Sequence, residues 1–165
     1  MSSAGASPET ERAGLRAFLD KQREALIRKL MDLSEDEARR TATASSLSLL
    51  ALVKHSAHWE RMWFQVLAAG RWNADDLAEL ESEDGDRSLR LADQDTIESV
   101  LAEYRTQIAA ANEVVDQLDL DGPCLWPELA DRNLRWVALH MIEETARHAG
   151  HADIIRETID GSSGH

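Results

Sequence analysis

The stretch Leu134–Gly161, LRWVALHMIEETARHAGHADIIRETIDG, decides how this chain reads. Its apolar residues Trp136, Val137, Met141, Ile142, Ile154 and Ile155 recur at the three- and four-residue spacing of an amphipathic helix. The helix begins around Asn133, and Gly161 ends it as a C-cap. Within it Glu144, His148 and His151 fall on a single stripe, with His140 one turn earlier and Ile155 one turn later. Glu143, Arg147 and Glu157 fall on another face, where a Glu143–Arg147 pair at four-residue spacing is ordinary solvated-helix chemistry.

Three further periodic segments precede it. A first helix runs from about Pro8, after Ser7 as N-cap, to Leu33, with Leu15, Leu19, Leu26, Leu30 and Leu33 as its stripe. Ser34 with Glu37 reads as a capping box for a short extra turn before the TATASS link. A second helix starts near Ser46, is apolar over much of its circumference, and stops at Gly70. A third, capped by Asp95 with Glu98, carries Ile97, Val100, Leu101, Tyr104, Ile108, Ala111, Val115 and Leu118. With no strand-like alternation to compete, the expectation is all-α, a four-helix bundle in one domain spanning 1–165, with residues 1–7 and 161–165 as tails. The stretch from Gly70 to Gln94, strongly acidic and with Trp72 and Leu77 as its few apolar anchors, forms one long crossover, either a functional lid or a tether.

Composition narrows the function. With 31 acidic and 18 basic residues the formal charge is −13, which repels phosphate backbones and anionic membranes, so neither nucleic acid nor membrane is an expected partner. A single cysteine, Cys124, cannot form an internal disulfide, no segment is apolar enough for a membrane helix, and MSSAGASPET lacks signal-peptide features. A cytoplasmic protein acting on a small molecule is the expectation.

The second helix contains KHSAHWERMWF, residues 54–64, and helical spacing separates its two histidines. His55 shares the apolar stripe of Leu52, Trp59, Met62 and Val66, whereas His58 lines up with Lys54, Arg61 and Gln65 and reads as a surface histidine. An inward imidazole facing a carboxylate and one or two imidazoles from another helix supplies the three or four N/O ligands a divalent transition metal prefers. The candidate ligands are His55, Glu144, His148 and, from spacing alone, His151, with His140 and Trp59 beside them. A hydrogen-bonded polar network on the same stripe is the alternative, since burying Glu144 unpaired costs several kcal/mol, roughly the penalty of an isolated buried charge. No zincin pair, P-loop, dinucleotide turn or nucleophile elbow is present, the di-iron pattern lacks its motif on the second helix, and Cys124 has no local base.

The segments SLLALVKHSAHWERMWF (48–64), TIESVLAEYR (96–105) and above all 134–161 resemble the DinB/YfiT-like superfamily, in an actinobacterial-type branch related to the mycothiol-dependent maleylpyruvate isomerases. The resemblance covers nearly the whole chain. It implies one divalent ion, most often Zn2+ or Ni2+, held by His55 from the second helix and by Glu144 and His148 from the fourth. Glu144 stands where many members have His, and the isomerase branch similarly pairs His, Glu and His. His151 falls where many relatives have Gln, and it is either a fourth ligand or a neighbour of the ligands. The resemblance further implies a homodimer and a low-molecular-weight thiol cosubstrate, mycothiol or bacillithiol, for an S-transferase or isomerase acting on small electrophiles. A metal-dependent hydrolase and a non-catalytic metal-binding or stress-response protein are the competing readings.

Overall fold

The computed structural model describes residues 8–80 and 87–162. The expected N-cap Ser7, the tail residues 1–7 and 163–165, and part of the acidic crossover lie outside the described residues. Helices α1 (Pro8–Leu30), α2 (Glu35–Arg39), α3 (Leu49–Arg61), α4 (Ala74–Leu80), α5 (Ile97–Gln117) and α6 (Leu134–Asp160) follow in order, and no strand occurs among the described residues. The four long ones, α1, α3, α5 and α6, make the bundle, with α3 lying along α5 and α1 along α6. None is long and apolar enough to cross a membrane, among the described residues.

Helices α2 to α6 begin where a side chain satisfies otherwise orphaned N–H groups. The Ser48 hydroxyl accepts from Ala51 N, and the Asn133 side chain accepts from Trp136 N at 2.9 Å. The Ser34–Glu37 capping box forms as expected, and Gly161 ends α6 at φ 75°. Three boundaries differ from the sequence reading. α1 stops at Leu30 because Asp32 turns into the left-handed region at φ 62°, while Leu33 still packs on the core from the link. α3 starts at Leu49 rather than near Ser46. α5 is capped by Thr96 and Ser99, not by Asp95 and Glu98, because Asp95 is drawn to Lys54 at 2.7 Å and to the Ala92 N–H at 2.7 Å. The crossover holds α4 and a 3-10 turn, Arg87–Leu89.

After Arg61 the α3 backbone widens into a π-helical turn, Met62–Ala68, in which Ala69 N reaches back five residues to Phe64 O. The wider turn buries five residues in a row, Phe64 to Ala68. Gly70 ends the turn at φ +67°, with the Leu125 side chain only 3.0 Å from where a Cβ would stand. The core lies in three patches: Leu26, Leu30, Leu50 and Tyr104 at one end, Leu19, Phe64, Val114 and Val137 at the other, and Met62, Val66 and Leu67 beneath Leu80 and Trp126. Leu80 and the buried Asp76, rather than the expected Trp72 and Leu77, tie the crossover down, since Trp72 stays exposed against Trp126 and Asp76 is gripped by Arg61.

Candidate functional site

α3 and α6 part to form a cleft of about 260 Å3. From α3 and the π-helical turn that continues it, the cleft is lined by His55, Ser56, Trp59 and Trp63, which helical spacing brings to one face. From α6 it takes His140, Met141, Glu144, Thr145 and His148. The rings of His55 and His148 meet across it edge to face, with centroids 4.9 Å apart. Of the four residues expected to hold a metal, three therefore line one space. The fourth, His151, is exposed, does not line the cleft, and keeps its ring 6.4 Å from that of His148. Trp59 and His140, expected beside the ligands, line it too.

Each of the three has a definite setting. His55 Nδ1 shares a 2.8 Å hydrogen bond with the hydroxyl of Ser88, from the 3-10 turn of the crossover. That bond orients the ring. Burial, followed by the charge of His55, lowers the pKa of His148 to about 4, so its ring is neutral at pH 7 and carries a lone pair. Glu144 Oε1 accepts from Arg147 at 2.5 Å, and Arg147 also makes the expected pair with Glu143 at 2.8 Å.

Two imidazoles and a carboxylate suit a borderline divalent ion. In this arrangement no three His, Cys, Asp or Glu donors among the described residues are gathered closely enough to hold one. Glu144 is half-buried and bound to the exposed Arg147. An ion pair as exposed as this one contributes about 0–1 kcal/mol, so Arg147 is a weak hold on Glu144.

Sequence reasoning missed Ser88, Ser56, Met141 and Thr145. Trp63 was detectable, lying eight residues from His55 on the same stripe, but Ser88 carries no signal in an acidic connecting segment. His58, expected at the surface, is half-buried, with Nε2 3.1 Å from Glu79 of α4. It belongs to a second, larger hollow of about 410 Å3 between α3 and α5, where Lys54 is paired with Asp95 and Arg61 with Asp76. Those cations are already matched, so the smaller cleft is the better candidate. Cys124 is buried, and burial, with Asp131 nearby, raises its thiol pKa, which fits a structural cysteine and not a nucleophile.

An all-α bundle with this His–Glu–His arrangement on its second and fourth long helices is of the DinB/YfiT-like kind. The model of the mycothiol-S-transferase family matches residues 14–161, and the chain belongs to that family. A crystal structure of a conserved protein from Enterococcus faecalis is similar in fold, with a TM-score of 0.67 over 91% of this chain and 97% of that one at 13% identity. No curated protein matches.

Proposed function

We propose that this protein joins a small electrophile to the sulfur of a low-molecular-weight thiol, mycothiol by family, in the cleft between α3 and α6, using one Zn2+ or Ni2+ ion. The observation that carries the reading is the convergence of His55, Glu144 and His148 on one cleft in a chain of the mycothiol-S-transferase family. When bound, a divalent ion lowers the pKa of a coordinated thiol, so that thiolate is present at neutral pH. Among the protein's own groups, Ser88 orients the His55 ring, His148 stays neutral, and Glu144 lines the cleft while bound to Arg147. The thiol proton passes to water at the open side of the cleft, a sulfur lone pair forms the new C–S bond, and the leaving group departs with the electron pair of its broken bond. Chain and ligands require no protein thiol, in keeping with the burial of Cys124. A homodimer is part of the reading, supported by the exposed apolar side chains of Phe18, Leu139 and Ile154, and size-exclusion chromatography checks it.

Elemental analysis of purified protein is expected to find about one ion per chain, the stoichiometry of a single three-ligand site. Mycothiol consumption with a model electrophile should disappear in His55→Ala and His148→Ala. Consumption that is unchanged in both variants refutes the proposal, and ester hydrolysis that is lost with chelator but indifferent to thiol replaces it with a hydrolase.

A further inference from the structure

The two ends of the cleft differ in chemistry. One end holds His55, Glu144 and His148; the other is walled by Trp59, Trp63 and His140. His140 stacks on Trp136 at 5.1 Å with planes 7° apart, and its ring meets Trp63 at 4.4 Å. Arg132 lies 5.0 Å over the Trp136 ring. Arg132, Trp136 and His140 sit four residues apart in the row that continues to Glu144 and His148, so the stack holds the wall in register with the ligand end. From His140 to Glu144 the helix rises about 6 Å, the span of one aryl ring bearing a reactive carbon.

Charge is the second observation. Apart from Glu144 and the imidazoles the lining is uncharged, and no Lys or Arg among the described residues lines the cleft. Proteins hold carboxylates and phosphates with arginine forks or lysines, and desolvating an anion without one is costly. The chain's charge of −13 adds long-range repulsion. The charge of a divalent ion in the proposed function is balanced by Glu144 and by the thiolate, which leaves none for an anionic electrophile.

We infer that the cleft selects uncharged, ring-bearing electrophiles, seated on Trp63 and His140 with the reactive carbon toward His55 and His148, and rejects anions of the same shape. The inference rests on the S-transfer reading for its reaction but not for its binding preference. In the test reaction a benzylic bromide becomes a thioether: the C–S bond forms, the C–Br bond breaks, bromide leaves with the bonding pair, and the thiol proton goes to water.

Two arms test it. In the first, methyl 4-methylbenzoate and 4-methylbenzoate, which cannot react, are titrated into the full-length protein without thiol or metal and followed by the NMR shifts of the tryptophan indole N–H groups. The ester should bind at least about tenfold tighter than the carboxylate, a difference of one decade in Kd. Trp63→Leu should weaken the ester, and Trp59→Lys should gain affinity for the carboxylate by placing an ammonium in the wall; if Trp63→Leu does not fold, Trp59→Lys decides. Equal binding of the two, or no response to either substitution, overturns the inference. In the second arm, methyl 4-(bromomethyl)benzoate is compared with 4-(bromomethyl)benzoate as a mycothiol acceptor, and the ester should have at least about a tenfold higher kcat/KM. An ester preference in binding with no thiol transfer to either acceptor sinks the proposed function and leaves the binding inference standing. Thiol transfer that favours the carboxylate does the reverse.

Discussion

α3 buries polar chemistry on two faces, and the two faces behave differently. On one, His55 meets His148 across a cleft that Glu144 also lines. On the other, Glu60 is fully buried and bound to Arg23, whose remaining donors go to Asp20 at 2.6 Å and Asn112 at 2.9 Å while its guanidinium lies 5.9 Å over Phe64. Burial pushes the Glu60 carboxyl up, and the Arg23 charge opposes that shift. The sealed face pairs its two charges with each other, with Glu60 fully buried and Arg23 almost so. The open face is a set of donors converging on a space that a ligand can enter. Polar burial alone therefore does not mark a functional site; convergence on an enterable cleft does.

The largest effect expected belongs to the sealed face. Arg23→Ala strands the Glu60 charge and should cost about 3–5 kcal/mol in urea unfolding. The paired change Arg23→Met with Glu60→Leu should cost less, and a pair as damaging as the single change would break the contrast. On the open face the order is reversed, with function lost and fold kept. His148→Ala should lower thiol transfer at least about 100-fold, equivalent to about 2.7 kcal/mol. Unfolding of the metal-free protein should then change by less than about 1 kcal/mol.

Ser88 sharpens the comparison, because it reaches the open face from the crossover. Ser88→Ala removes the partner of His55 Nδ1, and metal affinity measured by competition with a chelator should fall about 10–100-fold. Asp76 is the intermediate case, a buried carboxylate anchoring the crossover through Arg61 and the Asn73 N–H. The Arg61 hydrogen bonds hold its pKa below the ordinary value of 3.8. A depressed carboxyl pKa contributes stability that is present above the unfolded value and is lost as pH falls through the folded one. Wild-type stability should therefore drop below pH 3.8, and Asp76→Asn, already less stable at pH 7, should lose less over that window in urea melts. The smallest effect is expected at His151, which lies outside the cleft. His151→Ala should leave metal content and activity within about twofold, well short of the loss typical of a group that orients a ligand.

Much of the fold was legible because helical periodicity is local. The stripes of Leu19, Leu26 and Leu30 and of Val100, Tyr104 and Ala111 all prove buried, and the stop at Gly70 and the cap at Gly161 hold. Helix starts were less legible because several residues compete for one cap. Asp95 looked as good as Thr96 until Lys54, 41 positions earlier in the chain, claimed its carboxylate. The π-helical turn after Arg61 left no mark in the spacing, since its extra residue per turn is set by packing against α5 and α6.

For the candidate site, the sequence by itself determined which face of each helix carries His55, Glu144 and His148, because three- and four-residue spacing fixes a side chain's angle around its own axis. It could not determine how far along that axis a partner helix stays in reach. The cleft runs along Trp59, Trp63, His140 and His148 and does not include His151, which shares the stripe without sharing the cleft. The tertiary structure alone decided that Ser88 reaches His55, that Arg147 holds Glu144, and that Arg23 answers Glu60. The Ser88 and Arg23 contacts join residues more than 30 positions apart, and no local pattern encodes such a meeting. The Glu144–Arg147 contact is local in spacing, but that Arg147 binds Glu144 as well as Glu143 is a matter of side-chain rotation.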